Sequence, residues 1–129
     1  MHGWHNVDPM VMVLVSEAYK IRKEWRFWVV GNQVITGSLY FRDGKLDMVE
    51  DDVHEYGEAR MFAEDAAMEL YGKDVDMDPI YVLDVCKCGD KFYVLEFNAA
   101  SCSGFYKCDV GKIVGAMNEQ AEKMYENIF

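Results

Sequence analysis

The sequence predicts an α+β domain, an antiparallel β-sheet with helices packed on one face. Three observations lead there. Residues 24–30 and 33–41 form alternating runs around Gly31-Asn32, a good two-residue hairpin turn. Residues 81–85 and 94–98 form a second pair of arms around Cys88-Gly89-Asp90, with Gly89 and Asp90 as turn formers. Residues 56–71 and 110–127 instead repeat apolar side chains at helical spacing.

Taken in order, residues 11–15 are a short apolar run with the character of a strand, followed by a polar connector over 16–23. In the first hairpin, Val30 opposite Gln33 would place Glu24, Arg26 and Trp28 on one face with Ile35, Gly37 and Leu39. Arg26 would then lie opposite Gly37, whose missing side chain leaves room for a guanidinium or a ligand. Residues 43–55 are an acid-rich loop, and such a charge run is usually solvated. The next helix buries Ala59, Phe62, Ala63, Ala66 and Leu70 and stops at Gly72. Asp109 can cap the last helix, whose stripe is Val110, Ile113, Val114, Met117, Ala121, Met124 and Ile128.

The chain of 129 residues is one domain, 1–129, with no interdomain linker and no internal repeat. A hydrophobic content of 51% and an aromatic content of 14% argue against disorder. The net charge of −10 argues against a passive nucleic-acid binder, which needs a basic face. It favours a metal-dependent site or a basic partner. No apolar run reaches the ~18 residues of a membrane span, and the first residues lack a signal-peptide pattern. Cys86-Lys-Cys88 is too tight for the usual zinc spacing, so the cysteines read as reduced thiols of a cytoplasmic protein.

The second hairpin carries the chemistry. Ile80, Val82 and Asp84 share one face of its first arm; Phe92, Val94, Glu96 and Asn98 share one face of the second. A carboxylate at a core-facing position is costly unless something pairs with it. A three-residue loop pairing Lys87 with Lys91 would put Asp84 opposite Val94, leaving Asp84 and Glu96 diagonal neighbours roughly 7–8 Å apart. Asp84, Glu96 and Asn98 then offer three hard oxygen ligands to one divalent cation. The alternative is that these acids face solvent at a sheet edge.

These stretches, EWRFWVVGNQVITGSLY, YVLDV and VLEFNAASCSGFY, resemble the C-terminal lobe of ATP-grasp proteins. They are closest to the clade named for its two arginines and one lysine, found in many bacteria and bacteriophages. The resemblance covers residues 11–116. It implies that Asp84, Glu96 and Asn98 hold Mg²⁺ against the phosphates of ATP and that Arg26 contacts phosphate or a substrate carboxylate. It further implies that Arg42 is the second arginine and that Val15, Ser16 and Glu17 form the hinge receiving adenine. The implied reaction joins a carboxylate to an amine through an acylphosphate, with a peptide or protein among its substrates. The N-terminal lobe of a complete ATP-grasp enzyme, with its phosphate-binding lysines, is not expected in residues 1–129. The chain thus reads as a lobe completed by another segment or partner. An acidic interaction protein or inhibitor, touching a basic host protein through residues 43–55, is the second reading.

Overall fold

The structure, a computed structural model, describes residues 20–46, 51–73 and 78–128. The expected strand at 11–15 lies outside them. The elements are β1 (Lys23–Val30), β2 (Gln33–Arg42), β3 (Lys45–Leu46), α1 (Val53–Gly72), β4 (Ile80–Cys88), β5 (Lys91–Ala99) and α2 (Val110–Ile128). They build a five-stranded sheet in the order β3-β2-β1-β4-β5, with every pairing antiparallel. The α+β class therefore holds. β1 is the central strand, and β5 is an edge strand with Val94, Leu95 and Phe97 exposed.

The alternating pattern of β1 sends its side chains into two different cores. Trp25, Phe27 and Val29 join Leu39, Val34, Tyr81, Leu83 and Val85 under α1, which contributes Ala59, Ala63 and Ala67. The alanines, spaced by one helical turn, let the helix lie close to the sheet. Trp28 and Val82 point the other way and meet Cys108 and Ile113. The two helices thus cover opposite faces, not one face as the sequence suggests. An apolar stripe shows that a helix packs on a sheet; it does not say on which side. α2 also covers its face only in part: Ile113 is buried, whereas Val110, Val114 and Met124 of its stripe are exposed.

Three β-bulges reset the register. Val30 pairs with Gln33 as expected, around Gly31 and Asn32, both at positive φ. An extra residue, Ile35, then shifts the ladder, so that Trp28 pairs with Thr36, Phe27 with Gly37 and Arg26 with Ser38. Arg26 is therefore not opposite Gly37. The space at Gly37 is filled by the Phe27 ring, into which a Cβ there would run. Tyr40 is a second extra residue. In the other hairpin the turn holds only Gly89 and Asp90, Cys88 pairs with Lys91, and Leu95 is the extra residue. Phe92 and Val94 consequently sit opposite Lys87 and Val85, on the α1 face, while Glu96 and Asn98 pair with Asp84 and Val82 on the other.

Asp52 caps α1 by accepting from the Glu55 N–H. The first turn of the helix is fastened to the sheet by charge. Lys23 Nζ lies 2.8 Å from both Asp51 Oδ1 and Glu55 Oε1, and Lys87 Nζ lies 3.0 Å from Glu55 Oε2. Part of the acid-rich loop is thus committed to internal lysines and is not solvated. Its Asp47 and Glu50 lie outside the described residues.

Hydrogen bonds from Lys23, and with them Lys87, hold the Glu55 carboxyl down to about 2 against the opposing effect of burial. A depressed carboxyl stabilises the fold above its ordinary value of 4.5, and this is lost as pH falls toward 2. Glu55→Gln is expected to cost about 1–2 kcal/mol at neutral pH, allowing for partial solvent screening. Urea midpoints of the two proteins should converge as the pH drops below 4.5; a constant gap would contradict this assignment.

Candidate functional site

The face under α2 has two halves. Trp28 and Val82 lie beneath the helix, whereas Glu24, Arg26, Asp84 and Glu96 lie beyond it, toward the start of β1. Asp84 is paired with Arg26 on one side and Glu96 on the other. Cross-strand partners have Cβ atoms about 4.5–5.5 Å apart. The direct pairing of Asp84 and Glu96 is tighter than the diagonal one expected, because a shorter turn and the Leu95 bulge together restore the shared face. Asn98 follows on that face, about 6–7 Å along the strand.

The centre of this half is an ion pair. Arg26 Nε donates to Asp84 Oδ1 and Nη2 to Oδ2, both at 2.9 Å. Arg26 is 8% exposed and Asp84 1%. Arg26 Nη1 also donates to the Gly104 carbonyl at 3.2 Å. These bonds engage three of the five guanidinium N–H groups. The guanidinium lies 5.0 Å from the Tyr106 ring and 5.7 Å from Tyr40, and the two rings stack at 4.8 Å. Tyr106 holds a left-handed φ of 51°, rare for a bulky residue and typical of functional loops.

The segment carrying Gly104 and Tyr106 is anchored by β2. Ser38 Oγ accepts from the Lys107 N–H at 3.2 Å and Thr36 Oγ1 from the Asp109 N–H at 3.1 Å. The Cys108 thiol donates to the Arg26 carbonyl. Burial pushes Cys108 up to about 12, and burial with the neighbouring Cys88 does the same to Cys86, so both stay protonated thiols. Glu24 is raised by burial first, then by the charges of Asp84 and Glu96, while a hydrogen bond from Tyr40 opposes the shift. Burial raises the Tyr40 hydroxyl too, with Asp84 and Glu24 adding to it.

Asp84, Glu96, Asn98 and Arg26 are thus brought together. Arg42 is not: it pairs with Lys23, whose side chain reaches the α1 side, so register puts Arg42 on the opposite face from Arg26. Val15, Ser16 and Glu17 lie outside the described residues. Sequence reasoning missed Glu24, Tyr40, Thr36 and Ser38. The last three change faces because of the Ile35 bulge, which leaves no mark on the alternation.

Among the described residues no three His, Cys, Asp or Glu side chains gather into a metal cage. The donor set available is two carboxylates and an amide oxygen, all hard ligands suited to Mg²⁺. Glu96 is exposed and Asn98 partly so, and no hydrogen bond or ion pair to another described residue occupies either. Asp84 retains a second lone pair on each oxygen beyond its bonds to Arg26. The set therefore fits a metal completed by a ligand's own oxygens. A cleft of about 370 Å³ at the β1–β2 turn, lined by Gly31, Asn32 and Tyr81, lies at the far end of the sheet from it.

A half-open antiparallel sheet with a buried arginine beside hard oxygen donors defines a lobe suited to phosphates and cations. The family comparison agrees. The model of an ATP-grasp domain, family 3 of the clade named for two arginines and a lysine, matches residues 1–117, and the chain belongs to that family. No curated protein and no solved structure gives a significant match. No helix of the described residues is long and apolar enough to cross a membrane.

Removing one partner of a buried pair strands the other charge. Asp84→Asn is expected to lower stability by about 3–5 kcal/mol in urea denaturation. The apolar double variant Arg26→Met/Asp84→Leu should cost less than the single change. Equal or additive losses in that double-mutant cycle would refute the central role of the pair.

Proposed function

We propose that the half-face around Arg26 binds ATP with Mg²⁺, and that the domain is one lobe of an ATP-dependent carboxylate–amine ligase acting on a peptide or protein. Family membership supports ATP-grasp ancestry. The observation that carries the site is the convergence of Asp84, Glu96 and Asn98 on one face beside Arg26. Glu96, Asn98 and the outer lone pairs of Asp84 would hold the metal, which supplies charge neutralisation at the phosphates.

The chain's own groups have separate tasks. Arg26 directs its remaining N–H groups at a phosphate or carboxylate oxygen, a planar donor set well matched to either. Asp84 fixes the plane of that guanidinium. Tyr40 and Tyr106 shield one side of it from water, which strengthens its charge. A second lobe, from another segment or another polypeptide, closes over this face and brings the phosphate-binding lysines. ATP chemistry and protonated thiols suit a cytoplasmic setting.

Calorimetry with a non-hydrolysable ATP analogue tests this. Binding is expected with Mg²⁺ and should be at least about tenfold weaker without it. Because Asp84→Asn also unsettles the fold, Glu96→Gln is the informative variant. It alters an exposed side chain, so it should weaken binding about tenfold with little change in melting temperature. Absence of heat in both the presence and the absence of Mg²⁺ sinks the proposal.

A further inference from the structure

The other half of the same face holds a second opening. Between α2 and the stretch after β5 lies a cavity of about 450 Å³. Small-molecule sites span about 300–1,000 Å³. Its walls are largely apolar: Ile80, Phe105, Ile113, Val114 and Met117, with Trp28 among them. Trp28 is 2% exposed and stacks on Phe105 with ring centroids 5.1 Å apart.

The Trp28 indole nitrogen is buried and has no hydrogen-bond partner. Buried N–H groups nearly always have one, and those that do not call for an explanation. An indole nitrogen only donates, so what it lacks is an acceptor. Asp78 is the one ionisable wall residue, and it is exposed. A partner for this site is therefore largely hydrocarbon with a neutral oxygen acceptor, and the stacked Trp28–Phe105 pair favours a flat ring.

We propose that this cavity is a binding site for a small aryl carbonyl compound, whose ring packs among Phe105, Ile113 and Met117 and whose carbonyl oxygen accepts from the Trp28 indole N–H. The site is distinct from that of the phosphates. Phe105 covers Trp28, and the next residue, Tyr106, covers Arg26, so one short segment roofs both halves.

The test uses the full chain, nitrogen-15 labelled, with no nucleotide present, so that its outcome is independent of the ATP reading. N-acetyl-phenylalanine amide is titrated against toluene, a ring without an acceptor, while the indole N–H resonances are followed; Trp28→Phe assigns the Trp28 signal. The expected result is a downfield shift of that signal with the amide and none with toluene. Affinity for the amide should fall about tenfold in Trp28→Phe, the worth of one hydrogen bond. Val114→Trp, at a position 49% exposed, should fill the mouth and abolish binding while the remaining spectrum stays folded. A Trp28 signal unmoved by the amide, an unchanged affinity in Trp28→Phe, or full binding by a folded Val114→Trp would each overturn the assignment.

Discussion

The Arg26–Asp84 pair is the constraint around which this domain is arranged. Two opposite charges on adjacent central strands lie almost wholly out of water, at 8% and 1% exposure. Desolvation of that kind is repaid only by good geometry and further hydrogen bonds. The sheet supplies the geometry by pairing the two residues directly across β1 and β4. The segment after β5 supplies the rest: the Gly104 carbonyl takes another N–H, and Tyr106 closes over the guanidinium. That segment is itself tied down by Ser38 and Thr36. A polar pair in the middle of the sheet thus sets the position of a loop far from it in sequence.

The two faces of the sheet divide the work. The α1 face is a conventional apolar core locked at one end by the Lys23, Lys87, Asp51 and Glu55 network. It gives β1 and β4 their rigidity. The α2 face is only half packed, and its open half is where hard oxygens and a guanidinium meet. Precise placement of binding groups needs rigid elements beneath them. Here each such group stands on a strand whose neighbouring side chains are buried on the reverse side.

The strands, the helices and the choice of Asp84, Glu96 and Asn98 are legible in the sequence, because period-2 and helical patterns are strong in these segments. What the pattern does not show is where a ladder gains a residue. Ile35, Tyr40 and Leu95 are ordinary strand residues, yet each one exchanges faces for everything beyond it. Two slips in the β4–β5 hairpin, the turn length and the Leu95 bulge, compensate for one another, and the acids still converge. The slip at Ile35 has no such partner, so Gly37 and Ser38 trade places opposite Arg26, and Tyr40 comes to its side unannounced. The side chosen by each helix is likewise hidden, since Trp25 and Trp28 offer comparable apolar surface on opposite faces.

β5 has one further consequence. No described strand flanks its outer side, and Val94, Leu95 and Phe97 stand in the open there. An edge of this kind is a template for adding another chain. The kink at Leu95 spoils its straightness, and a surplus of negative charge keeps copies apart over a Debye length of about 8 Å at physiological ionic strength. Concentrated brine removes the second safeguard and leaves the first, so colloidal behaviour, more than thermal unfolding, governs how this protein is best stored.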